Sequence, residues 1–273
     1  MTDATVALHP EGVRRTGALG RLTSAIGDGL TLSGRTLRAY PRLPQLVIFS
    51  TIQPMIFVLL FRYVFGGAIR VPGLSYVEYL MPGVFVQTMT FGAMATAIGL
   101  SEDLHKGLIE RFRSLPMARS AVLVGRTTAD LVRNVFVVLL MAAVGFLVGF
   151  RVHTGVAPFL ASLLLMLLFG YSLLWIFASV GLMSPNAETA QAAGFPILVP
   201  LTFASSAFVP VESMPGWLQA FATHQPVSVT ANAARALVLG GPTADLVWQS
   251  VAWSLGILAI AAPLTVRRFR RAA

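Results

Sequence analysis

The residues able to do chemistry in this chain are few, and their spacing removes most of the options. His9, His105, His153 and His224 have no metal-ligand spacing, and there is no cysteine, so no metal site is expected. The single lysine, Lys106, lacks the upstream glycine and following Ser or Thr of a phosphate-binding loop, so ATP hydrolysis by this chain is not expected. No paired acids or Ser–His pair lie inside the apolar runs, so no enzyme is expected. Arg126, Asp130 and Arg133 are spaced four and three and share one helix face. They suit a mechanical relay into the helix or a lipid headgroup site. The simplest reading is side chains that snorkel at a membrane surface. Gln87, Thr90, Phe91 and Met94 in one apolar run, and Thr202, Ser205, Ser206 and Phe208 in another, offer polarisable, aromatic and hydroxyl groups. Such surfaces suit a bulky amphipathic molecule, and small hydroxylated residues equally suit helix packing.

A second constellation is the polar stretch 101–126, SEDLHKGLIERFRSLPMARSAVLVGR. Ser101 is expected to cap a short helix with Glu102 and Asp103 in its first turn, where the helix dipole favours acids. Leu108, Ile109, Phe112 and Leu115 form an apolar stripe, Glu110, Arg111 and Arg113 face away from it, and Pro116 ends the element. This element presents charges to something in the cytosol, or it is a topology-setting loop that touches only water and headgroups.

The elements that must position these residues follow from composition. Of 273 residues, 56% are hydrophobic and only 11% charged, against roughly 25% in a soluble domain. A crossing needs ~20 apolar residues for ~30 Å of hydrocarbon, as helix, because backbone groups must be satisfied within the segment. Six runs qualify: 46–65, 80–100, 131–150, 156–183, 187–208 and 246–266. The fifth contains Pro196 and Pro200, which puts its continuity in question. Residues 209–245 are of intermediate polarity and are expected to dip into the outer leaflet as re-entrant segments. The expected fold is therefore an all-α integral membrane protein with six transmembrane helices.

Orientation follows from arginine placement. Arg14, Arg15, Arg21, Arg35, Arg38 and Arg42 precede the first run. Lys106, Arg111, Arg113 and Arg119 lie between the second and third, and Arg267, Arg268, Arg270 and Arg271 end the chain. The other side holds only Arg70, Arg151 and Arg235, with Arg62 near the end of the first run, so both termini are expected to be cytoplasmic. The net charge of +9 thus suits anionic lipid and not nucleic acid. Tyr63, Tyr76, Tyr79, Trp217 and Trp248 are expected to form an aromatic belt at the outer interface. Residues 1–45 contain no uninterrupted apolar run and are not expected to hold a signal peptide. Leu19, Leu22, Ile26, Leu30, Leu37 and Tyr40 give them the pattern of an amphipathic interfacial helix. One membrane domain, 46–266, and a basic tail, 267–273, complete the organisation.

The run Gly107, Glu110, Arg111, Pro116, Arg119, Gly125 and Arg126 resembles the signature of ABC-transporter permeases of the type-2 export family. The string 107–126 is especially similar to daunorubicin/doxorubicin-resistance-type permeases of actinobacteria. Weaker matches follow in order: 205–210, Met214 and Pro215 with Trp217 and Leu218, then Gln225 and Pro226, then Arg235, Ala236 and Leu237. The chain departs from many relatives at His105 and Lys106, where they carry an acid, and at Gln225, where they carry Asn. The resemblance implies a six-span domain that pairs with a second permease copy or a paralogue. The pair would sit on two ABC ATP-binding subunits, which use ATP and Mg; this chain would bind no cofactor itself. It makes 101–126 a cytoplasmic coupling helix, with Gly107, Glu110, Arg111, Phe112, Arg113 and Pro116 in the ATPase contact. Asn186 and Glu188 would form a second, smaller contact. It places the second and fifth spans along the dimer axis, which makes Gln87, Thr90, Phe91, Met94, Thr202, Ser205, Ser206 and Phe208 the substrate route. The implied function is export of a hydrophobic or amphipathic drug, antibiotic or lipid-like metabolite across the inner or plasma membrane. A polysaccharide or glycolipid cargo fits the same fold. An ion-coupled secondary transporter needs ionisable residues near the midplane, of which the sequence has essentially none.

Overall fold

The computed structural model describes residues 44–67, 69, 71, 73–106 and 119–272. The interfacial helix expected in 1–45 and the coupling residues Gly107, Glu110, Arg111, Phe112, Arg113 and Pro116 lie outside the described residues.

All regular structure among the described residues is helical. In chain order the helices are α1 Pro44–Leu60, α2 Tyr76–His105, α3 Arg119–Val148, α4 Val156–Met183, α5 Ala187–Phe203, α6 Gly216–His224, α7 Pro226–Leu239 and α8 Ala244–Ala272. A π-helical turn, Phe61–Phe65, extends α1. Four helices are long and apolar enough to cross a membrane: α2, α3, α4 and α8. At 1.5 Å per residue the 17-residue α5 is ~25 Å long, a little short of ~30 Å of hydrocarbon.

Several helices outrun the apolar windows. α2 continues through Glu102 and Asp103 to His105, so Ser101 is not the cap of a new helix; its hydroxyl donates to the Ile98 carbonyl inside α2. α3 starts at Arg119 instead of 131, and α8 runs on through the arginines that the sequence suggested were a tail. Lipid-facing apolarity ends where the bilayer ends, whereas helical hydrogen bonding carries on into polar surroundings. α5 accommodates both prolines, since each removes a single backbone donor, but it stops at Phe203, not at 208.

α2 is the hub, packing against α3, α4, α5 and α7. Its N-terminus is fixed by a capping box in which the Ser75 hydroxyl accepts from the Glu78 N–H and the Glu78 carboxylate accepts from the Ser75 N–H at 3.2 Å. Glu78 also meets the His153 ring at 2.7 Å. The His153 backbone N–H donates to the Val238 carbonyl at the end of α7, 2.9 Å away. Close approach of α2 to its neighbours depends on glycines. A methyl group on Gly181 would run into the Ala97 backbone, and one on Gly83 into the Ala207 backbone.

The outer surface is apolar. α3 exposes Phe136 and Leu139, α4 exposes Leu160 and Leu164, and α8 exposes Trp248, Trp253, Leu255 and Ile260. Such continuous apolar cover is unfavourable in water by ~25 cal/mol per Å² and natural in lipid. Tyr63, Trp217 and Trp248 stand exposed, as an interfacial belt requires. Tyr76 and Tyr79 do not: both are buried, and their hydroxyls donate to the Phe208 and Ser206 carbonyls at 3.0 and 2.9 Å. The irregular backbone after α5 supplied partners that draw them inward.

Candidate functional site

A stripe at helical spacing runs down α2: Gln87, Phe91, Ile98 and Glu102, with Met94 and Ala95 between. It forms one wall of a cavity of about 540 Å³ closed by Gln53 and Pro54 of α1, Arg126, Arg133, Asn134 and Val137 of α3, and Gln191 and Phe195 of α5. Its middle is lined by aromatic, aliphatic and thioether groups. One end is lined with charge and leads to the segment 107–118 that joins α2 to α3.

That charged end is an ordered network. Asp130 is fully buried on α3 and accepts from the Thr96 hydroxyl of α2 at 2.7 Å and from Arg126 Nε at 3.3 Å. Arg133 lies beside the same carboxylate at 3.4 Å and donates to the Gly92 carbonyl of α2 at 2.8 Å. Arg126 reaches across to Asp103 at 2.7 Å. Arg126, Asp130 and Arg133 share a face, as their spacing says, but that face looks onto α2. Snorkelling is therefore replaced by a buried ion cluster, because Asp103 and Thr96 on the neighbouring helix provide the opposite ends. The Asp103–Arg126 pair also joins the last turn of α2 to α3.

The other residues singled out as a route divide into two groups. Gln87, Phe91 and Met94 line the cavity. Thr90 does not: it is fully buried and its hydroxyl donates to the Val86 carbonyl. Thr202, Ser205, Ser206 and Phe208 lie away from the cavity, at the far end of α5. Ser205 donates to the Thr202 carbonyl, and Ser206 to Asn232 of α7. Phe208 stacks on Phe61 with centroids 4.6 Å apart, in a cluster with Phe57 and Phe203.

What organises this far end is Arg235, which the sequence suggested was a sparse external charge. Its guanidinium is buried over the Tyr79 ring, 3.7 Å from the centroid. It donates to the carbonyls of Tyr79 (2.8 Å), Ser206 and Ala207 (3.0 Å) and to Asn232 Oδ1 (2.7 Å). Gln225 completes the brace: its amide donates to the Leu201 carbonyl at 2.9 Å while its oxygen accepts from the Val227 N–H and caps α7. Residues 204–210, which leave the helix, thus find their backbone partners inside the protein. The stretch between α5 and α8 contains two helices, α6 and α7, and α7 is largely buried against α2, α4 and α8.

Asn186 caps α5, its Oδ1 accepting from the Thr189 N–H at 2.8 Å and the Thr189 hydroxyl at 2.9 Å. Glu188 sits exposed in the first turn, where its charge complements the helix dipole. Sequence reasoning missed Gln53, Asn134 and Gln191 as lining residues. The available signal was the presence of amides inside otherwise apolar runs.

Comparison with known proteins places this architecture. The family model described as "ABC-2 type transporter" matches residues 29–239. The chain is 35% identical over 247 residues to a daunorubicin resistance ABC transporter permease protein of Streptomyces coeruleorubidus, covering 90% of this chain and 87% of that one. It is 28% identical over 249 residues to a probable doxorubicin resistance ABC transporter permease protein of Mycobacterium tuberculosis, covering 90% of each. It is 23% identical over 205 residues to a probable multidrug ABC transporter permease of Escherichia coli, covering 73% of this chain and 54% of that one.

Proposed function

The chain belongs to the ABC-2 type transporter family and is a membrane permease subunit of an ABC exporter, and from this premise we propose how it works. Its cargo is a hydrophobic or amphipathic drug, antibiotic or lipid-like metabolite. A separate pair of ABC ATP-binding subunits uses ATP and Mg and drives it, and two permease chains form the membrane unit. Six helices (α1 to α5 and α8) cross the inner or plasma membrane, and both termini are cytoplasmic.

The observation that carries this reading is the cavity beside α2, where Phe91, Met94, Ile98 and Phe195 stand among amides and where Glu102, Asp103 and Arg126 put charge at the C-terminal end of α2. Its volume falls within the ~300–1,000 Å³ of small-molecule sites. A ligand-driven change needs contacts that differ between two states. Closure of the ATP-binding subunits would move segment 107–118, with Glu110, Arg111, Phe112 and Arg113 as the contact and Asn186 and Glu188 as a smaller one. The Asp103–Arg126 pair at the base of that segment, continued by Asp130, Thr96, Arg133 and Gly92, offers a stiff connection from it to the cavity wall.

The test is co-purification of the tagged permease with its co-expressed ATP-binding subunit. Wild type is expected to retain the ATPase through detergent extraction, and a Glu110→Ala/Arg113→Ala double variant to lose it by at least ~10-fold, as expected when charged contacts worth ~1.4 kcal/mol or more are removed. Equal retention by both would remove the coupling role from this segment.

A further inference from the structure

Two buried amide groups on the cavity wall have unused hydrogen-bonding capacity. Gln87 is 3% exposed and Asn134 2% exposed, and neither Gln87 Oε1 nor Asn134 Nδ2 has a partner among the described residues. A buried polar group left without a partner costs about 1–3 kcal/mol, so such atoms in a wall of this kind need an explanation. The orientation of the Asn134 amide is fixed by its neighbour. Arg133 is a donor only and faces Asn134 Oδ1 at 3.4 Å, which leaves the Nδ2 donor unengaged. The charged groups around the cavity are paired: Glu102 with Lys106, Asp103 and Asp130 with Arg126, and Arg133 with Asp130. Gln53 and Gln191 also line the cavity but are exposed, so Gln87 and Asn134 are the buried amides of the wall with an unmet atom, one an acceptor and one a donor.

Taking the export reading as its basis, we infer that Gln87 and Asn134 select a neutral apolar cargo whose buried edge carries both a hydrogen-bond donor and an acceptor. A hydroxyl of the cargo donates to Gln87 Oε1, and a carbonyl accepts from Asn134 Nδ2. The aromatic and thioether groups of Phe91, Met94 and Phe195 cover the rest of the molecule. Gln87 Oε1 is already buried and unmet without cargo, so discrimination comes from the bond that a cargo hydroxyl supplies there.

The probes are 3-hydroxyflavone and flavone, which share the carbonyl and the ring system and differ in the hydroxyl. Each is titrated against the full-length permease purified in detergent, and fluorescence reports both affinity and the hydrogen bonding of the hydroxyl. Wild type is expected to bind 3-hydroxyflavone at least ~10-fold tighter, the factor supplied by one buried hydrogen bond of ordinary strength. Gln87→Met is expected to bring the two affinities together by weakening only 3-hydroxyflavone. Asn134→Leu is expected to weaken both probes by a similar factor, since both keep the carbonyl. Equal affinities in wild type, a preference that survives Gln87→Met, or no saturable binding of either probe would overturn the inference. The wild-type comparison needs no variant and stands even where a substitution prevents folding. Capture of the ATP-binding subunit by segment 107–118 does not involve Gln87 or Asn134, so failure of the inference and failure of the export reading are told apart.

Discussion

Arg235→Ala is expected to lower the stability of the folded permease by about 3–5 kcal/mol, because several hydrogen bonds to one charged group are lost and buried carbonyls are left unmet. The guanidinium braces three segments at once: the Tyr79 carbonyl of α2, the Ser206 and Ala207 carbonyls after α5, and Asn232 of α7. Hydrogen bonds to a charged group are worth about 1.5–3 kcal/mol each, and the carbonyls lie where water does not compete. The Tyr79 ring adds a cation–π contact on the guanidinium face. Arg235→Lys keeps the charge but not the fork that reaches separate carbonyls, and it should recover less than half of the loss. Thermal unfolding followed by size-exclusion chromatography in detergent measures this. An alanine variant that melts with wild type would mean that the carbonyls of residues 204–210 are satisfied some other way.

Asp130→Ala is expected to have the second largest effect, with a loss of about 3–5 kcal/mol in stability and at least ~10-fold in ATP-driven transport. The carboxylate sits between Arg126 and Arg133 and accepts from Thr96 on the facing helix. Removing it brings two guanidinium groups together across a buried space with one less compensating charge. Arg126 retains Asp103 and Arg133 retains the Gly92 carbonyl, so the helices stay associated while the connection through Asp130 is cut. Thr96→Val removes a single hydrogen bond to a charged group and should cost only about 1.5–3 kcal/mol. If Asp130→Ala left transport intact, the ion cluster would be packing alone.

The four long apolar helices are legible because an apolar run and a lipid-facing helix are the same physical object. Residues 156–183 were assigned from hydropathy and are the bounds of α4, Val156–Met183. The ends were less legible where polar residues continue a helix, as Glu102 and Asp103 do in α2 and Arg126 does in α3. Hydropathy registers the edge of the solvent and not the edge of the hydrogen-bond ladder. Tyr76 and Tyr79 read as interfacial because they precede an apolar run, and Arg235 reads as an outer-side charge because it lies in the more polar stretch 209–245. Their partners lie between 28 and 156 residues away in sequence, and no local pattern announces them. The arginine and aspartate spacing on α3 was visible, but not the helix it faces. Of the residues expected to form a route, Gln87, Phe91 and Met94 line the cavity. Thr90 was not distinguishable from them, since the direction of one helical residue is set by its neighbours on other helices.

The most direct test of the account is accumulation of a neutral fluorescent compound, 3-hydroxyflavone, in inside-out membrane vesicles that contain the permease with its ATP-binding subunits. The expected result is uptake that requires hydrolysable ATP and is lost with either Asp130→Ala in the permease or omission of the ATP-binding subunit. Uptake that persists without ATP and follows an imposed proton gradient would contradict it and make the chain an ion-coupled transporter.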